Sequence, residues 1–319
     1  DIFVIQGVIE GFFGKDWSFK ERHLQLQFMK EFHYHAYIYA PKNDRKLRTD
    51  WQEEWTDFEV EELCALSKAA HDHEIKFGMG LSPINLYRDL KESQLHSLRL
   101  KVDQILEIGI DLLAVCFDDM KADVPGLAQL QVQLTHQIQS WCPHVKVILC
   151  PSYYSSDPIL ERVFGDRPVD YWTTLKEELN ESIGIFWTGP QVCSTHYPLG
   201  HLSFVQRLLG DRLHIWDNYP VNDGRQMVDY LHLKAPSGRD HLPQYTQAQW
   251  VNPMVQPFLS RFALAAMSQP HLYLPDSHER QSMIFRQVLE WEVSLLRDLP
   301  TRKDLLSCVS LWTQWLMDH

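Results

Sequence analysis

Residues 111–120 read DLLAVCFDDM: six consecutive apolar residues, Leu112 to Phe117, run straight into two aspartates, Asp118 and Asp119. An apolar run without alternation is what a strand buried on both faces looks like, as in a parallel sheet covered by helices. Upstream of it lies ESQLHSLRLKVDQILEIG and downstream GLAQLQVQLTHQIQSW, both with apolar residues at helical spacing. The stretch is therefore the strand of a helix–strand–helix unit. The same rhythm extends in both directions. Before it come FVIQGVIEGF (3–12), HAYIYAPKND (35–44) and IKFGMGLSP (75–83); after it come VKVILCPSYY (145–154), IGIFWTGP (183–190), LHIWDNYPVND (213–223) and a weaker AQWVNPM (248–254).

Open doubly wound sheets and closed barrels share this rhythm, but eight cycles over about 250 residues predict a TIM (β/α)8-type barrel. A phosphate-binding glycine loop after the first run is missing; EGFFG (10–14) is the nearest glycine pair and is too bulky to wrap a pyrophosphate. Beyond residue 255 strand signals stop. SRFALAAMSQ, ERQSMIFRQVLEWEVSLLRDL and KDLLSCVSLWTQWLMDH read as amphipathic helices. The expected division is a barrel over residues 1–255 and a C-terminal helical segment over 256–319.

The chain has 319 residues, is 45% hydrophobic and carries a formal net charge of −12. That is enough apolar material for one large α/β domain with an appendage. The acidic balance, without a basic stripe, argues against a nucleic-acid partner. Six cysteines (Cys64, Cys116, Cys142, Cys150, Cys193, Cys308) lie far apart with no CxxC pair. They read as free thiols of a reducing compartment, which implies a cytoplasmic location. The chain opens at Asp1 without an initiator Met, so a removed leader stays open. No apolar stretch approaches the ~20 residues of a membrane span, and no membrane partner is expected.

In a parallel barrel chemistry gathers at the C-terminal ends of the strands. Polar residues do collect there: Glu10 and Gly11, Lys42 to Asp44, Asp118 and Asp119, Ser152 to Tyr154, Trp187 and Thr188, Asp217, Asn218 and Asp223, and Asn252. Amides, carboxylates and aromatic rings together suit a carbohydrate pocket. Two carboxylates at one strand mouth push their pKa values apart, so one can serve as acid while the other is an anion, as glycoside hydrolysis requires. Taken alone, the pair also reads as a helix cap or as two metal ligands. His33 and His35, and His71 and His73, are paired, but no HExxH occurs, and neither a metal nor another cofactor is expected. No GxSxG elbow supports a serine nucleophile.

GVIEGFFG (7–14), YIYAPKND (37–44), FDDM (117–120), DYWTTL (170–175), FWTGPQVCS (186–194) and WDNYPVND (216–223) together resemble glycoside hydrolase family 84, the O-GlcNAcases and bacterial hexosaminidases or hyaluronidase-like enzymes. The resemblance runs in family order from about residue 3 to 265. It implies a retaining exo-β-N-acetylglucosaminidase in which the substrate's acetamido oxygen attacks the anomeric carbon through an oxazoline. By the same resemblance Asp118 orients the acetamido N–H, and Asp119 is the general acid and then the general base. Lys42 contacts sugar hydroxyls; Asn218 and Asp223 hold the acetamido group and the 4- and 6-hydroxyls. Tyr154 hydrogen-bonds the developing oxazoline, Gly11 offers a carbonyl and Asn252 an amide. Cys150, Thr188, Val192 and Trp216 line the acetamido pocket. Phe13 stands where the family usually has Tyr, and Asn43 where Asp is common; neither carries the chemistry.

The implied partners are GlcNAc-bearing proteins or glycans, and a homodimer through the C-terminal helices, whose Trp-rich stretch runs from Trp291 to Trp315. Two other readings remain: an endo-hydrolase of GlcNAc polymers of the hyaluronidase or chitinase kind, and a GlcNAc-binding protein without turnover.

Overall fold

The computed structural model describes residues 4–88, 90–118, 120–268, 277–296 and 302–318. The expectation for Asp119 lies outside the described residues. Among these, eight parallel strands close into a barrel: β1 (Ile5–Glu10), β2 (Ala36–Tyr39), β3 (Lys76–Leu81), β4 (Leu112–Cys116), β5 (Lys146–Cys150), β6 (Gly184–Trp187), β7 (Leu213–Asp217) and β8 (Ala248–Val251). Each falls inside one of the apolar runs, the weak eighth included. The ring closes where β1 pairs with β8, Ile5 opposite Ala248 and Val8 opposite Val251.

The connecting helices are α1 (Phe19–Glu31), α2 (Asp57–Asp72), α3 (Glu92–Ile108), α4 (Leu127–Trp141), α5 (Ile159–Phe164), α6 (Tyr171–Glu178), α7 (Leu199–Leu209), α8 (Leu242–Tyr245) and α9 (Pro257–Met267). Their ends are written locally. Ser18 with Glu21, and Thr56 with Glu59, form capping boxes that satisfy the orphan N–H groups of α1 and α2. Gly109 ends α3 in the left-handed region at φ 89°, a conformation that costs a residue with a Cβ. The helical C-terminal segment continues with α10 (His278–Ser294) and α11 (Arg302–Asp318). α9 lies on the barrel: the Tyr34 hydroxyl donates to the Leu264 carbonyl at 2.6 Å and the Gln6 amide to the Met267 carbonyl at 2.5 Å.

Among the described residues two main apolar cores result, with a small third cluster of Phe12, Trp17 and Val221. The larger lies between strands and helices. The smaller fills the barrel and includes Ile9, Ile38, Cys116, Ile148, Cys150, Phe186, Trp216 and Trp250. Large rings are admitted by small neighbours: a Cβ on Gly7 would sit 2.4 Å from the Trp250 ring. The barrel is thus plugged, and only its upper mouth is free to form a pocket.

Candidate active site

A cavity of about 190 Å³ opens at the C-terminal ends of the strands. It is lined by Gly11 and Phe13 after β1, Lys42 after β2, Asp118 after β4, Cys150 and Tyr154 from β5, Thr188, Val192 and Cys193 after β6, Trp216, Asn218, Val221 and Asp223 from β7, and Asn252 after β8. The sequence-predicted residues Gly11, Lys42, Asp118, Cys150, Tyr154, Thr188, Val192, Trp216, Asn218, Asp223 and Asn252 are therefore brought together in one place. Phe13, Cys193 and Val221 were not anticipated. Each stands within two residues of an anticipated neighbour, which is the signal that would have found them.

Asp118 is the electrostatic centre. Its Oδ2 accepts a hydrogen bond from Lys42 Nζ at 2.7 Å, with the two side chains 8% and 7% exposed. Its Oδ1 is buried without a hydrogen-bond partner among the described residues. Burial pushes the Asp118 carboxyl up, but the Lys42 charge and hydrogen bond, helped by the charge of Arg48, outweigh it and hold the group below the usual carboxylate range. Asp118 is an anion at neutral pH. The Lys42 ammonium also lies 5.7 Å from the Trp216 ring and 5.5 Å from that of Phe13, where ring faces favour a cation.

On the far wall a chain of hydrogen bonds joins three strands. Trp216 Nε1 donates to Asn218 Oδ1 at 3.0 Å, Asn218 Nδ2 to the Val192 carbonyl at 2.8 Å, and Asn252 Nδ2 to Asn218 Oδ1 at 3.0 Å. The Gly11 amide donates to Asn252 Oδ1 at 3.3 Å. A Cβ on Gly11 would stand 2.6 Å from the Trp216 ring, so only glycine lets that ring lie flat against the wall. Asp223 Oδ2 accepts from the Phe13 amide at 2.6 Å. The Thr188 hydroxyl is taken by the Gln191 carbonyl at 3.0 Å, which leaves its methyl for the cavity.

Other strand-end polar residues turn away from the cavity. Glu10 accepts bidentately from Arg22, with Nη2 to Oε1 at 2.8 Å and Nε to Oε2 at 2.9 Å. Asp217 accepts from Arg239, with Nη2 to Oδ1 at 2.8 Å and Nε to Oδ2 at 3.0 Å. Arg239 donates further to the carbonyls of Ser194 and Thr195 and so fixes the loop that carries Val192 and Cys193. The paired histidines do not converge: His35 Nδ1 accepts from the Gln6 amide and His71 pairs with Asp111. Among the described residues no group of three or more His, Cys, Asp or Glu is gathered to hold a metal.

A model of the β-N-acetylglucosaminidase family matches residues 6–290. The chain belongs to that family. As a family member it ranks among the glycoside hydrolases, and its resemblance to glycoside hydrolase family 84 is that of a true relative. The β-N-acetylglucosaminidase family chain is 30% identical over 234 residues to the protein O-GlcNAcases of Mus musculus and of Rattus norvegicus. The match covers 70% of the chain and 25% of each of theirs, so the chain spans about a quarter of the length of these curated relatives. The solved structure of CpGH84B superposes with a TM-score of 0.77 at 23% identity, covering 90% of this chain and 52% of that one; this likeness speaks for the shared barrel fold.

Proposed function

We propose that this β-N-acetylglucosaminidase family member is a retaining exo-enzyme that removes GlcNAc from Ser or Thr of proteins or from glycans, with the substrate's acetamido oxygen as nucleophile. One observation carries the reading. Asp118 lines the cavity, Lys42 holds its Oδ2, and its buried Oδ1 has no hydrogen-bond partner among the described residues. A buried anionic acceptor left unpaired is costly unless a donor arrives, and the acetamido N–H is a donor of that kind. Once Asp118 takes that hydrogen bond, the amide carbonyl gains electron density and attacks the anomeric carbon. No side-chain nucleophile is required, so the carboxylate spacing of ordinary retaining enzymes does not apply.

The other roles follow the same reading. Asp119, the next residue, donates a proton to the leaving oxygen and later takes one from water. Tyr154 steadies the oxazoline. Cys150, Thr188, Val192 and Trp216 enclose the acetyl methyl; Asn218 and Asp223 hold the acetamido group and the 4- and 6-hydroxyls, Lys42 contacts sugar hydroxyls, and Gly11 offers the sugar a carbonyl and Asn252 an amide. A cavity of about 190 Å³ suits one terminal sugar, which favours release of monosaccharide. In this reading residues 1–255 are the catalytic unit and 256–319 a supporting helical segment. Exposed Leu311, Trp312 and Trp315 on α11 serve a homodimer, which sedimentation at two concentrations checks. Free cysteines fit work in the reducing cytoplasm.

The test is a series of aryl GlcNAc analogues with mono-, di- and trifluoroacetyl groups. If the acetamido oxygen is the nucleophile, kcat falls steeply with each fluorine, each tenfold loss corresponding to about 1.36 kcal/mol of barrier. A flat kcat at saturation sinks the substrate-assisted mechanism.

A further inference from the structure

Cys116 ends β4 and Cys150 ends β5, and the two are directly opposed in the parallel register. Adjacent strands run about 4.8 Å apart, and both side chains point to the barrel interior, where they belong to the inner apolar cluster. The register sets the two thiols side by side in that cluster, the Cys150 thiol donates to the Pro151 carbonyl at 3.9 Å, and neither cysteine is in a disulfide. Cys150 forms part of the cavity floor, while Cys116 stands behind it, out of the lining. The proposed reaction uses one of these thiols as wall and the other not at all.

We infer that Cys116 and Cys150 form a chelating dithiol at the floor of the cavity, a site for thiophilic trivalent arsenic compounds whose binding shuts the pocket. Each sulfur gives up its proton as an As–S bond forms. Both protons leave with the oxide oxygen of an organoarsenic(III) oxide as one water, and arsenic keeps its oxidation state. Two features select this chemistry over simple alkylation. Burial, with the neighbouring thiol and the Asp118 charge, pushes the Cys150 thiol up, so the thiolate needed by a one-point electrophile is scarce. A two-point ligand instead gains from a second thiol fixed beside the first, because the second bond forms within one complex. Cys193 also lines the cavity, but it is exposed and not part of the pair, and gives only a one-point adduct.

The binding claim is independent of the proposed reaction; its effect on turnover rests on it. The experiment treats the intact chain with phenylarsine oxide, then counts bound arsenical by intact mass, free thiols by titration after unfolding, and the modified positions by peptide mapping. The expected result is one arsenical per chain, two thiols lost, and both mapped to Cys116 and Cys150. Release follows a dithiol such as 2,3-dimercaptopropanol and not excess monothiol. Cys116→Ala should keep GlcNAc hydrolysis and weaken retention of the arsenical by on the order of 10²-fold; Cys116→Ser provides a second variant. Loss of one thiol only, mapping to Cys193, or unchanged retention in Cys116→Ala overturns the site. If the chain proves inactive on GlcNAc substrates, the mass and thiol counts still decide the dithiol, and the reaction alone fails.

Discussion

Lys42 Nζ lies 2.7 Å from Asp118 Oδ2 although the two residues are 76 positions apart in the chain. The contact joins the end of β2 to the end of β4 across the top of β3, which itself contributes no residue to the cavity. One carboxylate oxygen is thereby fixed, the other has no hydrogen-bond partner among the described residues, and the ammonium keeps the whole group ionised against its burial.

Replacing Lys42 by Met should therefore move the acidic limb of the pH–rate profile upward. With the ammonium present the Asp118 carboxyl is held low, so activity persists into acid. Without it burial dominates, the carboxyl protonates at higher pH, and activity disappears sooner as pH falls. Stability has the same sign. The pair contributes above the unfolded Asp value of about 3.9 and is lost as pH falls through the lower folded value. An unchanged acidic limb in Lys42→Met would show that another group sets the Asp118 charge.

Asp118→Asn should cost on the order of 10²–10⁴-fold in turnover, the range for a positioned proton-handling group. The isosteric amide keeps the shape but removes the anion facing the buried Lys42 ammonium, so the thermal midpoint should fall along with affinity for an oxazoline-like thiazoline. Normal turnover on N-acetyl substrates in this variant would remove Asp118 from the reaction.

Asp119→Asn should act selectively. Substrates with poorly acidic leaving groups should lose most of their rate and an activated phenol little, because only a strongly basic departing oxygen needs an acid. Equal losses on both would assign the acid elsewhere. Product analysis on a GlcNAc-modified peptide beside a GlcNAc polymer separates exo from endo action.

Gly11→Ala tests the wall. The added methyl would press on the Trp216 ring at 2.6 Å, an overpacking of the kind that costs about 1–3 kcal/mol. The ring should tilt into the cavity and raise KM well beyond what the stability loss explains. A crystal structure of the variant with the ring unmoved would contradict this.

Arg239→Met should lower stability by about 3–5 kcal/mol, because it strands a buried carboxylate on Asp217. Denaturant midpoints measure it. The double variant Arg239→Met/Asp217→Leu should recover part of the loss, since no unpaired charge remains; no recovery would mean that Arg239 matters mainly through its bonds to Ser194 and Thr195.

How the sequence reports on this site is clearest in strands β1 and β7. A strand alternates its faces, so Ile9 and Trp216 point inward while Glu10 and Asp217 point out to Arg22 and Arg239. Reading polar residues at strand ends finds the right level of the barrel but mixes both faces. Parity separates them: Gly11 and Asn218 stand one step further and face the cavity. The apolar runs themselves were enough to place all eight strands, because parallel strands covered on both sides are mostly apolar, with only scattered buried polar residues such as Gln6, His214 and Gln249. Phe13, Cys193 and Val221 lie in loops, where side-chain direction depends on the path of the backbone and no period reports it. The register contact between Cys116 and Cys150 was equally silent, since neither spacing nor composition tells which strands lie side by side at which residue.

The bond between Gly11 and Asn252 spans 241 positions and sits beside the seam where β1 meets β8. Contacts so distant along the chain form late and slowly, because the intervening segment must be ordered first. During synthesis, then, the far wall of the barrel mouth stays incomplete until the ribosome has released the segment around Asn252. Until that moment Asn218 lacks one of its neighbours and the unclosed edges of β1 and β7 are open to strangers. On the proposed function, ability to bind a sugar would thus report that the ring has shut: a nascent or truncated chain ending before β8 has seven of its strands and an incomplete pocket.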